Sequence, residues 1–542
     1  MKIRLTLTII VLLAFVTSCT DAIDITQAGE INDQKVFTNV ANMQLFLNET
    51  YDRFSLEQDL LVSSLLTDEV ACASGLNSDD TQRFAVFASN DRATVIWDNH
   101  YNLINYCNRV IRGATYFTPP ASDVATYNSI IAQAKALRAF AHFELMTLFS
   151  TDISDPNALG VMLLDHVPAI ADTPPRAKNS DIYALIDADL AYADANLVDQ
   201  TTNAYKYVNH NFLDAFRARM FLYRKNYTQA QFYADKLINT SGIPLATCLI
   251  SPAIPNYPLT TTVIPPTPGG TTPPTTQPST SFPIQRALFQ VDQWTSAAAP
   301  AYRKMWVDAS QGEVIFGLDR QTSSNNFSSR YNTNGSYLSG GPLFDMGRTL
   351  FNLYTQPLGG GAQDFRRWCF VDRSSTISTD PANATRTSEQ IVIDKYPGKN
   401  GSHTANDLKV FRMSEMYFIK AECAVRANDF TTAANLIRQV RQARNYIIGA
   451  VVPAPVYANA TDAFADILLE RRKELCFEGH RYIDLKRLGA DAGVTGTDRY
   501  LQDANNSSAT SPVNILLGDY RFTLPIPQDE ININPLPQNP NY

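Results

Sequence analysis

The chain has 542 residues and a formal net charge of −8, and 45% of its residues are hydrophobic while 18% are charged. This composition can form a large buried core and carries too little charge for a disordered chain. The acidic balance argues against a general nucleic-acid-binding protein, because neutralising phosphate groups requires a basic surface. We therefore expect no nucleic-acid partner, and 11% aromatic residues with low charge favour a neutral, polar ligand.

The N-terminus has the features of a bacterial lipoprotein signal. A mostly apolar run at residues 5–16 follows two basic residues and is too short for a helix that crosses a hydrocarbon core of about 30 Å. The string Val16-Thr17-Ser18-Cys19 resembles a lipobox, which implies that residues 1–18 are removed and that Cys19 receives lipid. Several acyl chains anchor a protein stably. Residues 20–36 are polar and have no strong period, so we expect residues 19–36 to form a lipidated tether. The alternative is a simple secretory signal with an incidental cysteine.

Six further cysteines are widely spaced and contain no CxxC pair, so the sequence gives no support for a zinc site. They are Cys72, Cys107, Cys248, Cys369, Cys423 and Cys476. Cys107, Cys423 and Cys476 lie among apolar residues with helical spacing, and we expect them to be small buried core residues. The sequence does not exclude a disulfide bond, because an exported chain can form one. We expect no metal site and no cofactor.

Hydrophobic spacing predicts several long helices in the first part of the chain. A helical pattern begins at Val40, residues 67–90 have the composition of a loop, and helical spacing returns at Val95. Residues 131–149 are predicted to form a long amphipathic helix. A further helix is expected from Ser180, which we predict as its N-cap because serine side chains accept from the first free N–H groups.

Two stretches have the residue order of tetratricopeptide units. Residues 211–238 and 412–444 each place alanines and aromatic residues at helical spacing on both sides of a short turn. Alanine lets two helices approach closely, and tyrosines fill the space between them. Such repeats stack to bury a shared core, so the pattern predicts a helical-repeat scaffold. The alternative is two unrelated helical hairpins that have alanine where their helices cross.

The sequence changes character between these two stretches. Residues 251–283 contain ten prolines and nine threonines and no charged residue, which predicts a solvated loop or spacer. Residues 284–407 combine β-prone runs at 313–316 and 390–393 with loops rich in glycine, asparagine, serine and aromatic residues. We therefore predict a mainly α fold, with a tetratricopeptide-like helical-repeat scaffold and a large insertion of irregular loops and short strands. Loops held by a rigid scaffold commonly carry ligand contacts.

Several strings in the second half of the chain resemble the SusD/RagB family. Residues 469–487 read LERRKELCFEGHRYIDLKR, residues 412–422 read RMSEMYFIKAE, and residues 524–530 read LPIPQDE. Residues 136–140 and 97–101 are similar to helices in the first part of the family's sequences. The resemblance covers most of the chain and is weakest at residues 251–283 and in the central loops.

The resemblance implies one SusD-like domain over residues 37–542. Its expected parts are a helical scaffold at about 37–250 and 408–490, the Pro/Thr-rich loop 251–283, a ligand-binding insertion at about 284–407 and a C-terminal segment at 491–542. It also implies a lipoprotein anchored by palmitate or similar acyl chains in the cell outer membrane of a Bacteroidota bacterium, facing the cell exterior. Family members bind glycans, or in some cases peptides, and cover a SusC-type TonB-dependent transporter.

A dense group of ionisable residues invites a catalytic interpretation. The group consists of Glu470, Glu474, Glu478, His480 and Asp484. It contains one histidine and not the two of an HExxH zinc motif, and the chain shows no GxSxG or P-loop motif. Carboxylate pairs for glycoside hydrolysis cannot be recognised from sequence distance alone. We therefore predict an interhelical ion network around the turn at Gly479, and a protein that is not an enzyme.

Sugar recognition favours aromatic rings for the C–H faces and amide or charged groups for the hydroxyls. Aromatic residues cluster with amides in the insertion, and the early loop at 67–83, with Asp68 and Asp79, is a second candidate wall. The predicted ligand contacts are Trp294, Tyr302, Trp306, Tyr331 and Tyr337, with Asn77 and Arg83. The alternative for each is a packed or solvated loop residue, whereas Trp97 lies in a helical motif and is predicted to be core.

Three functions remain open beside the uptake of glycans. The first is a peptide-binding member of the same family, and the second is an envelope scaffold whose repeats bind only proteins. The third is a polysaccharide-degrading enzyme. Binding to a glycan array separates glycan uptake from the scaffold function, and release of reducing sugar would indicate the enzyme.

Overall fold

The computed structural model describes residues 33–72, 79–249, 300–320, 343–372, 375–384, 388–399, 405–504 and 512–542, and the backbone of 262–263 and 276–277. The predicted signal peptide, Cys19 and most of the tether lie outside these residues, as does the Pro/Thr-rich loop apart from two short strands. The structure is mainly α-helical, which confirms the predicted fold class.

The helices are α1 (Asp33–Val36), α2 (Val40–Asp52), α3 (Glu57–Leu65), α4 (Asp91–Gly113), α5 (Val124–Phe149), α6 (Asn179–Asn196), α7 (His210–Tyr223), α8 (Tyr227–Thr240), α9 (Ala301–Trp306), α10 (Arg348–Tyr354), α11 (Arg366–Phe370), α12 (Met413–Arg426), α13 (Phe430–Arg444), α14 (Ala460–Glu474), α15 (His480–Leu488) and α16 (Gln528–Ile533). Short 3₁₀ turns lie at Ala114–Tyr116, Ala121–Asp123, Ala204–Lys206, Leu501–Ala504 and Tyr520–Phe522. Within the described residues, no helix combines the length and apolar character needed to cross a bilayer.

The strands are β1 (Val70–Cys72), β2 (Leu159–Met162), β3 (Arg176–Lys178), β4 (Thr262–Val263), β5 (Thr276–Gln277), β6 (Val314–Leu318), β7 (Phe344–Met346) and β8 (Leu408–Arg412). They form four antiparallel pairs, β1 with β7, β2 with β3, β4 with β5, and β6 with β8. The run predicted at 313–316 overlaps strand β6, which begins one residue later and extends to Leu318. The run at 390–393 is not a strand and makes isolated bridges to Thr376 and Val371.

Six of the described helices begin after an asparagine or aspartate whose side chain caps the first turn. Helix α2 begins at Val40 as predicted, and the Asn39 side chain accepts from Asn42 N at 2.9 Å. The prediction of Ser180 as an N-cap is wrong, since α6 begins at Asn179 with Lys178 in the cap position and no side-chain cap. The amide of Asn179 instead donates to residues 150–155, which joins the start of α6 to the loop after α5.

The two tetratricopeptide-like units form two stacked helical hairpins. Helix α7 packs on α8, α12 packs on α13, and α8 packs against α12, so the two units share one interface. The small residues that the sequence predicts at the crossings, including Ala230, Ala234, Ala421 and Ala433, are fully buried. The predicted stacking is confirmed, and α14 and α15 extend it toward the C-terminus.

Helix α5 lies at the centre of the first half of the chain. It packs against α4 and α6, and its residues from Ser129 to Phe149 are buried on nearly all sides. The expectation of an amphipathic helix at 131–149 is wrong in this respect, because other helices cover its second face as well. Trp97 of α4 is 1% exposed, which confirms its place in the core. The five cysteines whose side chains are described are buried free thiols.

Candidate functional site

The ionisable group of the signature region forms a buried ion network centred on Glu474. Glu474 Oε1 accepts from Tyr302 Oη at 2.9 Å, from an Nη of Arg412 at 2.9 Å and from an Nη of Arg444 at 2.8 Å. Its Oε2 accepts from Arg444 Nε at 2.9 Å and from Arg366 Nη1 at 3.1 Å. Glu474 is 0% exposed, and burial alone would raise its pKa, but these arginines hold that pKa well below its usual range.

The other three carboxylates of the group are paired in the same manner. Glu470 contacts Arg366 and Arg441, Glu478 contacts Lys395 and Arg412, and Asp484 contacts Arg471 and Arg487. Burial and nearby arginines hold the pKa of His480 well below its usual range, so its ring is neutral. Each carboxylate already serves as a counter-ion, and none is poised as an acid or base for a substrate. The predicted interhelical ion network is confirmed.

Gly479 makes the turn within this network possible. It links α14 and α15 with a φ of 86°, a left-handed conformation that favours glycine. Glu478 lies in this link, after the end of α14, and His480 is the first residue of α15. The signature string is therefore a structural element that joins the insertion to the repeats.

A different part of the surface brings the early loop and the insertion together. We define the loop face as β1, residues 79–92, β7 and the turn Leu501–Ala504. Strand β1 pairs with β7 so that Cys72 lies opposite Phe344. Because the pair is antiparallel, the end of β1 and the start of β7 lie at the same edge. The early loop and the central loops are therefore attached to the scaffold side by side.

Asp503 holds the three chain segments of the loop face together. Its carboxylate accepts from Arg348 N at 2.8 Å, just after β7, and its carbonyl accepts from the Gln82 amide at 3.1 Å. Asp503 and Gln82 are both buried. The C-terminal segment therefore fixes the position of the loop face through Asp503.

The loop face also carries charged and polar side chains. Arg83 donates to Asp80, whose side chain is 62% exposed, and Arg92 donates to Asp79. The Asp79 carboxylate also accepts from Gln82 N at 3.1 Å. Their ion pairs hold these donors and acceptors in place, and such groups can form hydrogen bonds with the hydroxyl groups of a sugar. Of the two early-loop residues predicted to contact ligand, Arg83 lies here, and Asn77 falls outside the described residues.

The structure corrects two of the predicted aromatic contacts. Tyr302 and Trp306 lie on α9 and are 0% exposed. Tyr302 donates to Glu474, and the Trp306 ring packs against Phe370 and Tyr396, with Lys395 4.6 Å from its centroid. A ligand in solution reaches neither ring, so we remove both from the site. The remaining predicted residues, Trp294, Tyr331 and Tyr337, lie outside the described residues.

Sequence reasoning also misjudged Asp68, which it placed in the wall of the early loop. Asp68 is 1% exposed and accepts from Arg481 Nε and Nη2, both at 2.8 Å. Burial alone would raise the pKa of Asp68, but Arg472 and Arg481 hold it well below its usual range. Sequence reasoning conversely missed Arg92, because the partner of Asp79 lies in the first turn of the next helix and not in the loop itself.

The next residue, Glu69, gives a pH-dependent stability. Glu69 is 0% exposed, its Oε2 accepts from Ser64 Oγ at 2.8 Å, and burial raises its pKa from 4.5 to about 7. Between pH 4.5 and 7 the folded state binds more protons than the unfolded state, so this group makes stability fall as pH rises. Glu69→Gln removes this ionisation. We expect the change that it causes in the free energy of unfolding to be about 3 kcal/mol more stabilising at pH 8 than at pH 4.5.

Urea unfolding of the wild type and the variant at both pH values measures this difference. Glu49→Gln, on the exposed surface of α2, is the control and should give no pH-dependent difference above about 0.5 kcal/mol. An equal effect of Glu69→Gln at pH 4.5 and pH 8 would contradict the assignment.

Comparisons with known proteins agree with this architecture. A family model described as the SusD family matches residues 373–542. The chain is 22% identical over 561 residues to "SusD-like protein P2" of Formosa agariphila, and the alignment covers 99% of each protein. A SusD superfamily protein from Bacteroides thetaiotaomicron superposes with a TM-score of 0.69 at 20% identity, covering 93% of this chain and 100% of the other. A SusD-like carbohydrate binding protein from Bacteroides vulgatus gives a TM-score of 0.64 at 19% identity, covering 92% and 97%.

Proposed function

The chain belongs to the SusD/RagB family, and we propose that it is a surface lipoprotein that captures oligosaccharides and delivers them to a SusC-type TonB-dependent transporter. Proteins of this family are in general carbohydrate-binding nutrient-uptake proteins and outer-membrane-associated lipoproteins. They are binding proteins and not enzymes. The similar fold of the carbohydrate binding protein from Bacteroides vulgatus supports the same ligand class for this chain.

The observation that carries the proposal is the pairing of β1 with β7. This pairing joins the early loop to the insertion. These are the two regions in which the sequence predicts residues that contact a sugar. The loop face offers Arg83, Asp80 and Asp79 as polar contacts, already ordered by their own ion pairs. We propose that Trp294, Tyr331 and Tyr337 supply the aromatic contacts and that Asn77 joins Arg83. The paired carboxylates of the signature region support a binding role without catalysis.

Substitution at the loop face tests the proposed site. We expect Arg83→Ala, Trp294→Ala and Tyr331→Ala each to weaken oligosaccharide binding about fivefold, since one hydrogen bond or one ring contact contributes about 1 kcal/mol. A glycan array of full-length protein first identifies a ligand, and isothermal titration then measures the dissociation constants of the wild type and the variants.

Arg53→Ala is the matched control, because Arg53 is an arginine in an exposed ion pair with Glu49 away from the loop face. It should leave the dissociation constant unchanged. Unchanged affinity in all three loop-face variants would exclude this face as the site. Binding of peptides and of no glycan on parallel arrays would replace oligosaccharide with peptide as the ligand.

A further inference from the structure

A cavity beside α15 shares no lining residue with the loop face. It has a volume of about 410 Å³, within the range of sites for small ligands. Its walls come from the turn after α5, the turn between α7 and α8, one side of α15, and the C-terminal residues 518–523 and 539–541. Lys225, Tyr520 and Asn541 at its edge are exposed, so solutes can reach it.

Lys486 of α15 lines this cavity, and no carboxylate of the described residues forms an ion pair with it. Its Nζ donates to the Ser150 carbonyl at 2.7 Å and to Thr523 Oγ1 at 3.1 Å, both neutral acceptors. Within the part of the chain that the structure describes, no carboxylate oxygen lies within 4.0 Å of this Nζ. The two acceptors leave one of the three ammonium hydrogens for a ligand.

Buried lysines elsewhere in this protein show what is missing at Lys486, which is partly buried. Lys395 pairs with Glu478, Lys409 with Asp308 and Lys473 with Asp364. A cation taken out of water without an opposite charge is unfavourable. Burial accordingly lowers the pKa of Lys486 to about 7, and the charge of Asp152 opposes that shift only through space.

The two acidic side chains of the cavity accept hydrogen bonds from residues other than Lys486. Asp519 accepts from Arg521 at 2.7 Å, and Asp152 accepts from Ser154 N at 2.8 Å and Ser154 Oγ at 2.7 Å. Arg487, which also lines the cavity, is held by Glu422 and Asp484. Lys225 adds a second cation at the edge, again without a carboxylate within 4.0 Å among the described residues.

We propose that this cavity is a second ligand site, which binds a small polar molecule through its carboxylate, with Lys486 as the counter-ion. The apolar side chains of Ile153, Ile483 and Phe522 form part of its lining and can pack against the body of the ligand, and Asn541 and Tyr520 offer hydrogen bonds. A sugar acid has this combination of a carboxylate, hydroxyls and an apolar ring face. The site shares no residue with the loop face, and its test is independent of the proposed function.

Titration of the full-length protein with D-glucuronate and D-glucose tests the proposal, because the two sugars differ by one carboxylate. We expect glucuronate to bind at least tenfold more tightly than glucose, and Lys486→Met to weaken glucuronate binding at least tenfold. Lys486→Arg should retain most of the affinity. Lys420→Met is the matched control, since Lys420 is a partly buried lysine outside the cavity that pairs with Asp235.

A labelling experiment on wild-type protein avoids any effect of substitution on folding. Glucuronate should slow the reductive methylation of Lys486, measured by peptide mass spectrometry, and leave that of Lys420 unchanged. Absence of glucuronate binding, equal binding of glucose, or unprotected Lys486 would each overturn the proposal. Inorganic sulfate that binds as tightly as glucuronate would overturn the assignment of a carboxylate ligand.

Discussion

Glu474→Ala is expected to lower the free energy of unfolding by about 3–5 kcal/mol, the usual cost of removing one partner from a buried ion pair. The reason lies in its three arginine partners, Arg366, Arg412 and Arg444, none of which is more than 1% exposed. Without Glu474, part of their charge remains buried and uncompensated. Tyr302 loses its hydrogen-bond acceptor at the same time.

Urea unfolding at pH 7 measures this loss, with circular dichroism to confirm that the variant folds. Glu49→Ala provides the comparison on the surface, where the pair with Arg53 has both side chains 44% exposed and should contribute less than about 1 kcal/mol. Glu474→Gln keeps the shape of the side chain and removes only its charge, so its effect should lie between the two. An unchanged unfolding curve for Glu474→Ala together with lost ligand binding would show that the network is functional and not structural.

Cys19→Ala is expected to move the protein from the membrane fraction to the soluble fraction. If Cys19 is the lipid acceptor, its loss removes the acyl chains that anchor the protein. The experiment is carried out in a host that lacks the transporter, so that no partner retains the protein. Fractionation and the incorporation of a labelled fatty acid provide two separate readouts.

Thr20→Ala is the matched control for this experiment, because it changes the adjacent residue and leaves the lipid acceptor in place. The control should remain in the membrane fraction and carry the label. Equal membrane retention and equal labelling of Cys19→Ala and the wild type would contradict the lipoprotein assignment.

The sequence by itself determined the helical scaffold. The repeat pattern places alanines such as Ala230 and Ala421, together with aromatic residues, at helical spacing. Packing of this kind depends only on contacts between neighbouring helices, and both hairpins form where they were predicted. The start of α2 also depends on the local sequence, because the Asn39 side chain caps it. The ion network could also be predicted, because a dense run of acids and bases next to apolar residues can be buried only if the charges are paired.

The tertiary structure alone decided that Tyr302 and Trp306 are closed to a ligand and where the loop face lies. Local composition around Tyr302 and Trp306 resembles that of a binding loop, but α9 turns both rings inward against Phe370 and the Glu474 network. The three arginine partners of Glu474 lie 30, 62 and 108 residues away in the chain, and spacing of this kind carries no periodic signal. The same holds for the pairing of β1 with β7 and for the cavity beside Lys486, because burial and charge pairing between distant segments exist only after the chain has folded.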